Sequence, residues 1–144
     1  IAGKFGLYTN TESSSGSTMD CITNPKKGEL VVKHLISNWK TAYLIAKEHN
    51  AKFIAVLQPL AHTSDTPTDH FQDEGQLLRD QFKALYPMII NGVKSECANN
   101  RAFCESFVDG HRWISSRTPV FIDFSHMTGK GNRTVAEKIS QHLK

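Results

Sequence analysis

The sequence predicts an α/β domain, on three observations. Phe53-Ile54-Ala55-Val56-Leu57 is an unbroken apolar run of strand length, as expected for a strand buried on both faces of a parallel sheet. The stretches on either side of it carry apolar residues at the three-and-four spacing of a helix. A second apolar run, Val120-Phe121-Ile122-Asp123-Phe124, follows the second of these, so the order reads helix, strand, helix, strand, helix.

Each element has a local reason. Lys4-Phe5-Gly6-Leu7-Tyr8-Thr9 reads as a short strand, and the polar run from Thr9 to Thr18 has no means of burying itself and reads as loop. Residues 1–23 are set apart as an N-terminal linker or loop, and residues 24–144 as the α/β domain. The first helix opens at Asn24-Pro25, a favoured cap followed by a favoured first helical residue. Val32, Leu35, Ile36, Trp39, Ala42, Tyr43 and Ala46 form its core face as far as about His49. After the turn at Asn50-Ala51 comes the first strand, which Gln58-Pro59 ends. The polar loop from Ala61 to Gln72 then lies beyond the strand's C-terminal end, where open α/β sheets place ligand contacts. Leu78, Phe82, Leu85, Ile89 and Val93 mark a second helix that Pro87 should kink or split. Phe103 to Trp113 has no period and reads as irregular. Pro119 introduces the second strand, and the last helix follows Gly131-Asn132 with Val135, Ala136, Ile139 and Leu143 on one face.

Composition bounds the function. With 144 residues, 39% hydrophobic and 22% charged, the chain has the make-up of one ordinary domain. No apolar run approaches the ~18 residues of a membrane helix, and the first residues lack the apolar core of a signal peptide. The net charge is +3 and the Lys and Arg are scattered, a balance that neither suggests nor forbids nucleic acid or anionic lipid, and no nucleic-acid partner is expected. Three cysteines are too few for a disulfide scaffold, and no CxxC pair offers a zinc or redox site. Cys97 and Cys104 either close one small loop or remain two free thiols, leaving Cys21 over. Together with the acceptor pattern Asn132-Arg133-Thr134, they tilt localisation toward an extracytoplasmic compartment without fixing it.

Two strands are too few. A doubly wound sheet needs roughly four to bury helices on both faces, and two apolar parallel strands alone would leave long open edges. The sheet is therefore expected to be completed from elsewhere, by an N-terminal portion, a partner chain or further copies. A chain that opens on Ile1 rather than Met fits a processed or truncated piece.

The sharpest chemical constellation is Asp123-Phe124-Ser125-His126, at the end of the last expected strand. An aspartate three residues before a histidine can accept the imidazole Nδ1 proton, leaving Nε2 free to take a proton from a hydroxyl and stabilising the imidazolium that forms. The bland reading of the same residues is a capping Asp beside an exposed His.

Val120-Phe121-Ile122-Asp123-Phe124-Ser125-His126-Met127-Thr128, followed by Gly131-Asn132, Val135-Ala136 and Ile139, resembles the C-terminal block of the SGNH (GDSL-like) hydrolases. In that family an Asp-x-x-His lies between the final strand and the final helix. Trp39 to Pro59, ending in Leu57-Gln58-Pro59, is similar to the family's penultimate strand region, and the likeness spans about residues 24–143. It implies a flavodoxin-like three-layer α/β/α sandwich and a cofactor-free serine hydrolase acting on esters or acylated carbohydrates or lipids. His126 would be the general base and Asp123 its orienting partner. The family's Gly-Asp-Ser turn, its oxyanion glycine and its Gly-x-Asn-Asp segment are absent, so the nucleophile and oxyanion hole are expected on a missing N-terminal half or a complementary chain.

Substitutes within the chain are poor. Thr11-Glu12-Ser13 lacks the glycine that permits a nucleophile turn, and Ser125 is too near His126 along the chain. Gln58, His62, Asp65 and His70 are candidates for a substrate groove. A divalent metal on His62, Asp65, Asp69 and His70 fits no zinc spacing, and no metal is expected. Trp113 reads as half-buried packing rather than a sugar platform. The alternative function is a non-catalytic assembly or binding module that keeps the fold without the chemistry.

Overall fold

The computed structural model describes residues 21–71 and 76–143. The first helix, α1 (Pro25–Glu48), starts as its sequence anticipates: the Asn24 side chain accepts the Lys27 backbone N–H at 3.3 Å, and Pro25 is the first helical residue. Past its end Asn50 turns the chain at φ 52°, a left-handed conformation that Asn tolerates better than most residues. The helix α2 (Gln76–Cys97) packs against α1, and Val32, Ile36, Ile89 and Val93 share one buried cluster with Leu57, Leu60, Tyr86 and Phe103. Gly92 allows this approach, since a Cβ there would lie 2.7 Å from Val32 Cγ1 and 2.8 Å from Ile36 Cδ1. Pro87 does not split α2. Buried Tyr86 and Ile89 on either side of it anchor both halves of the helix to the same core.

The sheet has two parallel strands among the described residues, β1 (Ala55–Leu57) and β2 (Phe107–Asp109), in the register Ala55 to Phe107, Val56 to Val108 and Leu57 to Asp109. Bonds from Ala55 N to the Ser106 carbonyl (2.8 Å) and from Gly110 N to the Leu57 carbonyl (3.0 Å) extend the ladder at both ends. The crossover runs through α2 and a short helix, α3 (Arg101–Glu105), as parallel pairing requires. The chain is thus mixed α/β, with four helices and a two-stranded parallel sheet among the described residues.

Two sequence expectations are corrected here. The second strand lies inside the stretch read as irregular, and residues 120–124 do not form one. Phe107-Val108 supplies only two apolar residues between Ser106 and Asp109-Gly110, too short a run to stand out. Around Asp123 the chain doubles back: Ile122 N donates to the His126 carbonyl (2.7 Å), Thr128 N donates to the Val120 carbonyl (2.9 Å), and Phe121 bridges Met127 antiparallel. Val120 and Phe121 are buried, whereas Ile122 is 65% exposed. The Asp123 carboxylate accepts nearby backbone N–H groups, and such local bonds compete directly with a strand ladder. The expected strand at residues 4–9, the polar run after it and Ser13 lie outside the described residues.

The last helix, α4 (Gly129–Gln141), begins two residues before Gly131-Asn132 because Thr128 is its cap, its hydroxyl accepting the Gly131 N–H at 3.4 Å. A second buried cluster, Ala61, Ile114, Val120 and Phe121, with Phe71, Met127 and Val135 against it, supports this end of the molecule. On the outer face of α1, Leu30, Val31, Leu44 and Ile45 are exposed. No helix of the described residues is long and apolar enough to cross a membrane.

Cys97, at the end of α2, is bridged to Cys104 in α3, which settles the two readings left open by the sequence. A loop of this length restricts the unfolded chain by about 2–3 kcal/mol. Reduction is therefore expected to lower the unfolding free energy by about that amount, read as a shift in urea midpoint with and without reductant.

Candidate active site

The Asp123–His126 turn is held from three sides. Phe124 stacks on Phe82 of α2 with ring centroids 5.9 Å apart, its carbonyl accepts the Ala61 N–H from the loop after β1 (3.0 Å), and His70 Nε2 donates to the Phe121 carbonyl (2.8 Å). Thr128 ties the turn to α4 by donating its hydroxyl to the Val120 carbonyl (3.1 Å) while capping the helix. Gly131 keeps α4 close, since a Cβ there would stand 3.0 Å from the Val120 carbonyl oxygen.

Within the turn, Asp123 divides its two oxygens. Oδ1 accepts the backbone N–H groups of His126 (2.7 Å) and Ser125 (2.8 Å) and the Ser125 hydroxyl (3.3 Å). Oδ2 accepts from His126 Nδ1 at 2.6 Å. The His126 backbone N–H, then that of Ser125, then the imidazole hold the Asp123 carboxyl well below the usual carboxylate range. An ionised carboxylate on Nδ1 fixes the neutral ring with its proton there, so the Nε2 lone pair is the atom left for chemistry. The His126 side chain is 77% exposed and that of Asp123 43%, so the ring edge is open to an incoming group. Ser125 Oγ lies 3.3 Å from Nδ1, the nitrogen Asp123 already occupies, and is badly placed to be activated by Nε2.

The loop after β1 scatters its candidate residues. The Gln58 side chain is exposed, while its carbonyl accepts the Tyr86 hydroxyl at 2.9 Å. Asp65 pairs with Ser115 through a parallel bridge and accepts the Ser115 hydroxyl at 3.2 Å. Asp65, Thr66, Pro67, Ser115, Ser116 and Arg117 line an open polar groove of about 720 Å³, and neither His62, His70 nor Gln58 lines it. Among the described residues no three His, Cys, Asp or Glu side chains are grouped to hold a metal ion.

His62 is 8% exposed, and among the described residues neither of its ring nitrogens has a hydrogen-bond partner. Burial, then Arg79 and Lys83, push its pKa below the ordinary imidazole value. The unfolded chain, with an ordinary imidazole, therefore binds a proton that the folded chain refuses. Stability should be full above about pH 6.5 and fall as pH drops through and below that value. A His62→Phe variant should lose less stability between neutral and mildly acid pH, measured by urea unfolding at each pH.

Sequence reasoning missed one pair. Asp109, the last residue of β2, accepts His111 Nδ1 at 2.5 Å and the His111 backbone N–H at 3.3 Å. Arg112 Nε donates to His111 Nε2 at 3.1 Å, and the ring meets Tyr86 edge-on with centroids 6.1 Å apart. Burial, then the Asp109 charge, push the Tyr86 phenol up. The Asp-x-His spacing was visible, but only the placement of β2 gives it meaning, because Asp109 then stands at the C-terminal end of a parallel strand.

Fold and site together define a mixed α/β chain that presents an oriented imidazole on an exposed turn. Compared with protein-family models, curated proteins and solved structures, the chain matches none.

Proposed function

We propose that this chain supplies the base of a serine ester hydrolase of SGNH type, with His126 as general base and Asp123 as its orienting partner. The observation that carries the reading is the division of labour at Asp123: one oxygen builds the turn, the other holds Nδ1, and the opposite edge of the ring stays open. In this reading a serine hydroxyl gives its proton to His126 Nε2 as its oxygen attacks an ester carbonyl, and the imidazolium then protonates the departing alcohol. The serine and the donors for the oxyanion belong to a missing segment or a partner chain. The two parallel strands would form part of a flavodoxin-like α/β/α sandwich that this polypeptide completes, on acylated carbohydrate, lipid or simple ester substrates.

The experiment is the intact mass and composition of the native material, followed by ester hydrolysis assays on the isolated chain and on its complex. A co-isolated serine-bearing polypeptide, with turnover only in the complex, is the expected result. Absence of turnover in any native complex removes the reading. One observation favours assembly without chemistry: the exposed apolar residues Leu30, Val31, Leu44 and Ile45 on one face of α1. In that case the complex forms and His126→Ala leaves its biological activity intact.

A further inference from the structure

The Asp109–His111 pair plays no part in the proposed chemistry, yet its ring is held better than that of His126. Its side chain is 17% exposed, its Nδ1 is fixed by Asp109, and its carbonyl accepts the Thr63 hydroxyl at 3.4 Å from the loop after β1. The contact with Arg112 is the telling one. For Arg112 Nε to donate to Nε2, that nitrogen must carry a lone pair, so the ring is neutral with its proton on Nδ1. A guanidinium is best matched by a carboxylate, which accepts two parallel charge-assisted bonds, and a neutral imidazole nitrogen is a weak substitute. Among the described residues no carboxylate lies within ion-pair distance of Arg112, which is exposed.

Charge balance then selects the ligand. Asp109 with a negative charge, Arg112 with a positive one and a neutral ring sum to zero. An added monoanion is compensated if His111 takes one proton from solvent onto Nε2, giving two cations and two anions in alternation. We propose that His111 and Arg112 form a binding site for a small carboxylate: the ligand takes the guanidinium from Nε2, Nε2 gains a proton and donates to the ligand, and Asp109 stabilises the imidazolium. Among the described residues the titratable and charged groups in contact with the ring are Asp109, Arg112 and, from α2, Tyr86; Thr63 and the Gln58 carbonyl nearby are uncharged. The site lies at the C-terminal ends of β1 and β2, where parallel sheets gather ligands.

The test is imidazole ¹⁵N spectroscopy of the full chain during titration with sodium acetate, with sodium chloride at equal ionic strength as the control. Acetate should move His111 Nε2 saturably from the lone-pair to the protonated signature, and chloride should not. Arg112→Gln should weaken acetate binding about tenfold or more, the worth of a charge-assisted bond. Equal responses to acetate and chloride, or unchanged affinity in Arg112→Gln, overturn the proposal. The His126→Ala chain should bind acetate normally, so the hydrolase reading can fail without this one failing, and the reverse.

Discussion

Replacing His126 by Ala is expected to cut ester turnover by the complex about 10³-fold or more, without loss of stability. The side chain is 77% exposed and its only side-chain partners among the described residues are Asp123 and Ser125 in its own turn, so removing the ring takes little from the core. The backbone N–H of residue 126 still reaches Asp123 Oδ1 in the variant, and the turn should persist. Substrate affinity should change far less than kcat, since the ring acts on the proton rather than on binding. Only the neutral ring can accept the serine proton, so the base form of His126 is the working one. The Asp123 carboxyl is held well below the usual carboxylate range, so it stays ionised in the working range. A variant with unchanged kcat removes His126 from the mechanism.

Asp123→Asn should also be severe, about 10⁴-fold in kcat and no greater than loss of the ring itself, for a reason that the two oxygens make plain. Asn keeps a carbonyl oxygen that can accept the Ser125 and His126 backbone N–H groups, so the turn survives. Its amide then faces Nδ1 with a donor where the carboxylate had an acceptor. The ring answers by moving its proton to Nε2, and the atom needed as base becomes a donor. The tautomer change is read by ¹⁵N spectroscopy, a signature that simple destabilisation would not produce. The same substitution should flatten the acid limb of the stability curve. A carboxyl with a depressed folded pKa contributes stability that is present above the usual carboxylate range and lost as pH falls through the folded value, and Asn has nothing to titrate.

Much of the helical framework was legible because it rests on local rules. Asn24-Pro25, the apolar spacing of α1 and the spacing around Val93 each act within a few residues, and α1 and α2 form where those signals stand. The sheet was not legible in the same way. Val120-Phe121-Ile122 has strand composition, yet Asp123 closes a turn with its own neighbours and turns Ile122 to solvent. Phe107-Val108-Asp109 becomes a strand only because Ala55–Leu57 lies alongside, a tertiary fact that a three-residue segment does not announce. The candidate site divides likewise. Asp123 and His126 are four-residue neighbours and could be paired by inspection. The buried ring of His62, whose nitrogens have no hydrogen-bond partner among the described residues, and the contact of Arg112 on His111 depend on how α2 and β2 pack.

The proposed division of labour, base here and nucleophile elsewhere, is tested most directly by labelling the native complex with a fluorophosphonate and locating the adduct by peptide mass spectrometry. The adduct is expected on a serine of the complementary polypeptide and on none of the 144 residues of this chain, forming only when the complex is intact and much more slowly with His126→Ala. An adduct on Ser13, Ser125 or any other serine of this chain, or labelling at the same rate without the His126 imidazole, would contradict it.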